Sequence, residues 1–254
     1  MLDNITVELF FVYFLVLCRI AAAIMLLPGI SETYISTRAR IVAALGLALL
    51  ITPLAKEYLP PLPKSAIGFF LIITSEIIIG LLIGSVAKII FSTMHVAGQA
   101  ISFQIGLAAA NMFDPTQGGQ GSTVGSILNM IAILLIFTTD MHHIFLSGIV
   151  DSYQLFNPTS PIPLGGFNEI ITKAVSESFL MGIKIAAPQI VVGLILFLGA
   201  GVMGRLMPQM QVFFVMMPLQ ILLGFFIIMI TLSAGMMMFI NHYGEFMSNF
   251  ITYQ

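Results

Sequence analysis

The chain has no tryptophan, a single cysteine among 254 residues, and charge on only 8% of its positions. Each shortage excludes something. Soluble domains carry charge on about a quarter of their residues, so 8% charged with 59% hydrophobic and a mean hydropathy of +1.07 excludes that class and indicates an integral membrane protein. The lone Cys18 lies inside an apolar run, which rules out an intrachain disulfide and a multi-cysteine metal site; a buried structural thiol is the default reading. The nine basic residues are scattered singly and the net charge is −2, so nothing calls for a nucleic-acid partner. Tryptophan normally marks membrane interfaces, and its absence admits two readings. Either the lineage uses little tryptophan, or protein partners cover much of the helix surface in place of lipid.

What is present is a series of apolar runs. They cover Leu9 to Leu27, Ile41 to Leu54, Ile67 to Phe91, Val124 to Phe137, Phe179 to Met203 and Val212 to Ile240. The first lacks a basic lead-in and a small-residue cleavage site before Arg19, so it reads as a retained membrane helix. An all-α membrane protein follows, with awkward lengths. A helix needs roughly 20 residues to cross about 30 Å of hydrocarbon; the run from 41 to 54 falls short, and the run from 212 to 240 would extend about 43 Å. Tilted, bent or partly lipid-exposed helices are expected. Proline and glycine clusters at Pro28-Gly29, Pro60-Pro61, Pro161 to Gly166 and Met207-Pro208 separate the runs. If all six span, Arg38, Arg40, Lys88 and Arg205 fall on one side and Lys56, Lys64 and Lys173 on the other, which leaves orientation undecided.

Between the third and fourth runs lies Gly98 to Gly125, with six glycines and one charge, Asp114. It is too glycine-rich and polar for a stable spanning helix and too poor in charge for a solvated loop. Such backbone at membrane depth needs shelter by protein or by a watery cavity, so the segment points to a pore or gated passage. Charges within the runs are a second clue, since each costs roughly 2.5 to 3.5 kcal/mol at mid-bilayer. Lys88 and Lys184 lie near run ends, where snorkelling serves. Arg19 and Glu76 sit deeper, and either pair with each other or with a partner subunit. Ten of the 17 methionines fall between Met203 and Met247, including Met207, Met210, Met216, Met217, Met236, Met237 and Met238. Singly they read as helix filler; together they suit a compliant packing surface.

Motifs of chemistry are few. Gly199-x-Gly201-x-x-Gly204 matches the dinucleotide fingerprint but closes an apolar run without a strand-helix-strand unit, so it reads as small residues at a helix contact, like Gly80-x-x-x-Gly84. His142-His143 beside Asp140 suits a metal or a proton relay in principle, but adjacent residues face different sides of a helix, which favours a loop or interfacial position. No phosphate-binding loop, zinc signature or nucleophile elbow occurs. The chain is expected to be no enzyme and to hold no cofactor or metal.

Three stretches carry a family resemblance: RIAAAIMLLPGISETYISTRARIVAALGLALLITP from Arg19, FQIGLAAANMFDPTQG from Phe103, and LMPQMQVFFVMMPLQILLG from Leu206. Together and in this order they resemble the FliR family, the flagellar branch of the FliR/SctT export-gate subunits of type III secretion, over nearly the whole chain. The resemblance implies a single domain, 1–254, of bent helical hairpins that packs with FliP and FliQ into a helical export gate, with FlhB attached and FlhA nearby. It implies residence in the bacterial inner membrane at the flagellar basal body, in contact with lipid and with unfolded flagellar export substrates. The family's channel plug carries over to the loop from Gly106 to Ser122, with Asn111, Met112 and Phe113 at its tip, then Asp114-Pro115 and the glycines Gly118, Gly119 and Gly121. The alternatives are the equivalent subunit of a virulence-type system and a stand-alone multipass transporter.

Overall fold

The computed structural model describes the chain except for residues 1, 33, 64, 108–121, 157, 159–163, 210 and 253–254; the side chains of 2–6, 164–165, 213–215 and 251–252 also lie outside the described set. It is 87% helical, with no strand among the described residues. The helices are α1 (Leu2–Ile24), α2 (Thr37–Ala55, followed by a 3-10 turn Lys56–Tyr58), α3 (Ala66–Phe91), α4 (Thr93–Ile105), α5 (Thr123–Thr138), α6 (Met141–Leu155), α7 (Leu164–Leu206) and α8 (Val212–Thr252). Among the described residues five stretches are long and apolar enough to cross a membrane, α3 and α4 together counting as one, and a sixth if α5 and α6 form one broken span.

The helices outrun the apolar runs wherever polar residues are tolerated at their ends. α2 begins four residues before Ile41 because Ser36 caps it, its side-chain oxygen accepting from the Ala39 amide at 3.3 Å. At 43 and 41 residues, α7 and α8 are each about 60 Å long, twice the hydrocarbon thickness. Two expectations need correction. Gly98 to Ile105 is not irregular backbone but the body of α4, because its glycine and serine face other helices. Met25 to Leu27, assigned by hydropathy to the first helix, lie in the turns after it.

The chain divides into two compact units. Unit 1 comprises 1–90, 137–175 and 244–254; unit 2 comprises 91–136 and 176–243. In unit 1, α1 buries one continuous stripe, with Phe11, Val12, Leu15, Val16, Arg19, Ile20, Ala23 and Ile24 all inside, as the 3.6-residue period requires. α3 closes on that stripe through Gly80 and Gly84. A methyl group at Gly80 would strike the Arg19 carbonyl and stand 2.9 Å from the Ala22 Cβ; one at Gly84 would stand 2.7 Å from the Ala23 carbonyl. The small residues thus let two helix backbones approach closely, as small-xxx-small pairs do in membranes. α2 lies on α1, where the Tyr13 hydroxyl donates to the Leu45 carbonyl at 3.2 Å.

Unit 2 is organised around α4, and glycine again sets the spacing. Gly98 meets Gly125 of α5 backbone to backbone, Gly182 of α7 admits Val96, Gly193 of α7 admits Gln104, and Gly224 of α8 admits Ile105. Gly199, Gly201 and Gly204 differ from the expected helix contact: a methyl group at any of them meets nothing of this chain within 4 Å. Gly80→Val is therefore expected to force α1 and α3 apart and destabilise by roughly 1–3 kcal/mol, while Gly201→Val leaves the chain's own fold unaffected. Thermal unfolding of the detergent-solubilised protein checks the contrast.

Candidate functional site

Two structures stand out: a buried charge cluster in unit 1 and the clamped stems of the central loop in unit 2. Arg19 is wholly buried, 0% exposed, as is Glu76. The Arg19 Nε donates to Glu76 Oε2 at 2.7 Å and Nη2 to Oε1 at 2.8 Å, the parallel two-bond fit that a planar guanidinium offers a carboxylate. Nη1 donates to Ser152 Oγ at 2.9 Å and Nη2 also to the Phe156 carbonyl at 3.2 Å, so four of the five N–H donors are used. The Tyr153 ring covers the guanidinium at 3.8 Å. Ser152 passes its own proton to the Ile149 carbonyl at 2.6 Å. One arginine on α1 thereby ties α3 to α6. Lys88 and Lys184, by contrast, are exposed.

The loop's two stems are held by Ser122. Its hydroxyl donates to the Gly98 carbonyl at 2.9 Å, accepts from the Gly125 amide at 2.8 Å, and lies 2.7 Å from the Ser102 hydroxyl. A hydroxyl has one proton, so with that proton on Gly98 the Ser102 hydroxyl must be the donor in their pair. Ser122 is at once the N-cap of α5 and a buried bolt to α4. The other stem ends at Gly106, whose φ of 83° and ψ of 2° give the left-handed turn that closes a helix and that side chains resist. Gln220 of α8 packs beside Gly106, and its amide donates to the Gln104 carbonyl. Sequence reasoning singled out neither Ser122 as a bolt nor Gln220; a serine directly before an apolar run is the capping signal that would have found the first.

Of the expected plug residues only Gly106 is described; Asn111, Met112, Phe113, Asp114, Pro115, Gly118, Gly119 and Gly121 lie outside the described residues, as does Met210. The remaining methionines do not share one surface. Met216 and Met236 are buried, Met217 is half-buried, and Met207, Met237 and Met238 are exposed. Met216 and Met217 join Phe197, Ala200 and Gln220 around a cavity of about 30 Å³, room for one water.

The family model for bacterial export proteins, family 1, matches residues 10–246. The chain belongs to that family. Its relatives carry the name flagellar biosynthetic protein FliR. The one from Caulobacter vibrioides is 35% identical, over 93% of this chain and 94% of that protein. Those from Escherichia coli and Bacillus subtilis are 31% and 28% identical, over 92% and 91% of this chain and 87% and 90% of the relatives. Membership makes this FliR-family chain a multipass membrane component of flagellar type III protein export, in a family of structural export-apparatus proteins.

Removing one partner of a buried ion pair leaves the other charge unpaired, at about 3–5 kcal/mol, whereas replacing both by apolar residues can be nearly neutral. Arg19→Leu or Glu76→Leu alone is expected to lose that much, and the double substitution to recover most of it. Melting temperatures of the three variants decide this; a loss in the double variant equal to the sum of the two single losses would show that the pairing itself does not matter. Ser122→Ala removes a cap and the bolt together and is expected to lower stability by about 1–2 kcal/mol. Hydrogen exchange at the start of α5 reads that loss directly.

Proposed function

We propose that the chain acts over its whole length as one subunit of the flagellar export gate, assembled with FliP and FliQ, with FlhB attached and FlhA close by, in the bacterial inner membrane at the basal body. Its central loop, Gly106 to Ser122, closes the passage at rest and yields to unfolded flagellar proteins driven through by other components. The observation that carries the reading is the pair of rigid stems. A stopper that swings must pivot on something fixed, and here both of its ends are fixed: Gly106 by its left-handed turn and the Gln220 contact, Ser122 by three hydrogen bonds. The sequence between them holds one charge and several glycines, so polypeptides of any composition can slide past it.

The long helices support the assembly. Only 17% of the most apolar windows of α7 and α8 is buried within the chain, and large side chains such as Leu194, Leu198, Leu206, Leu222 and Met229 are exposed. Surfaces that apolar require lipid or other subunits. The buried Arg19 and Glu76 need neither, since each satisfies the other.

Deleting residues 110–116 is expected to leave the protein copurifying with FliP and FliQ at unchanged particle mass while making cells permeable to small solutes. Dye uptake and motility assays test this. Unchanged permeability with normal motility would sink the stopper role.

A further inference from the structure

The short link between α5 and α6 assembles a set of metal ligands that the proposed export role does not use. Asp140, His142 and His143 each offer a ligand atom, and these atoms all lie within 4.8 Å of one another. The convergence is unexpected for neighbours in sequence, and the backbone explains it. Asp140 adopts φ 57° and ψ 16°, the only positive φ outside glycine among the described residues, and does not cap α6 with its side chain. That turn swings its carboxylate alongside the first turn of α6, where Oδ1 stands 3.9 Å from His143 Nδ1. The two imidazoles lie tilted against each other with centroids 4.2 Å apart, and Phe137 lies tilted against His142 at 5.2 Å. His142 Nδ1 is shut off from solvent without a hydrogen-bond partner.

We propose that Asp140, His142 and His143 form a binding site for a late first-row divalent cation, of which Zn2+ is the representative. Two imidazoles and one carboxylate are the nitrogen and oxygen donors such ions take, with bonds of about 2.0–2.2 Å, which place neighbouring ligand atoms about 3.4 Å apart. The present spacing is wider, and the side chains of Asp140 and His143, 77% and 67% exposed, close it by rotating about their side-chain bonds. Three protein ligands leave a coordination position open, so the ion is exchangeable rather than a permanent structural centre. A cation at the N-terminus of α6 opposes that helix's dipole, but the Asp140 carboxylate supplies the compensating charge. Once bound, the ion would stiffen the first turn of the helix whose far end carries Ser152 to Arg19.

Titration of the full-length, untagged protein in detergent with Co2+, followed by competition with Zn2+, tests the site. A saturable visible absorption band at one Co2+ per chain, displaced by Zn2+, is expected. His142→Gln, His143→Gln and Asp140→Asn should each weaken binding by at least tenfold, since loss even of a residue that merely orients a ligand costs 10–100-fold. His95→Gln, on α4, should leave the titration unchanged. No saturation below millimolar Co2+, or a titration unaltered in the His142→Gln/His143→Gln double variant that retains native helical circular dichroism, would overturn the proposal.

Discussion

Unit 1 is arranged around the bidentate contact between Arg19 and Glu76. A guanidinium and a carboxylate shut away from water each cost several kcal/mol of lost hydration, and that cost is offset only when geometry satisfies nearly every donor and acceptor. The requirement propagates outward. α1 and α3 must lie close enough for the two groups to meet, which Gly80, one turn from Glu76, makes possible by letting the α1 backbone sit where a side chain would be. Ser152 and the Phe156 carbonyl must arrive from the end of α6 to take the remaining protons. The pair thus specifies which helices meet and in what register, a role hydrophobic side chains fill less selectively in a chain apolar nearly everywhere.

Unit 2 meets a different constraint with a related device. A segment too polar for lipid leaves from the end of one helix and returns to the start of another, and its two ends are anchored. The anchors are small: a hydroxyl bonded three ways and glycines that bring α4 against α5, α7 and α8. Close backbone approach is available only to residues without side chains. Gly98, which reads as looseness at the start of the segment, is therefore a point of tight packing.

The outward faces complete the picture. α7 and α8 expose apolar surface along lengths well beyond one bilayer crossing. Satisfied charges inside stand against exposed hydrophobic area outside: the chain pairs its own buried charges and leaves the apolar faces of its long helices uncovered.

Class and family were legible in the residues because composition and hydropathy record the solvent a chain must meet, and the three motif stretches lie at fixed places along nearly its whole length. The depth of Arg19 and Glu76 was legible too, since position within an apolar run measures distance from water. Their pairing was legible only as one of two alternatives, each other or a partner subunit, and Ser152 was not legible at all: Arg19 and Glu76 are 57 positions apart and Arg19 and Ser152 are 133, and nothing local encodes such a meeting. The helical state of Gly98 to Ile105 was misread because propensity penalises glycine for lost entropy, while tertiary contact rewards its missing side chain. Likewise His142 and His143, divergent on an ideal helix, converge with Asp140 only because one residue turns left-handed before α6. By itself the sequence determined that this is a membrane-embedded export protein of helices, with charges that demand partners and a loop that demands shelter. Only the tertiary structure decided who the charges' partners are and what pins the loop, because those answers depend on distances between segments far apart in the chain.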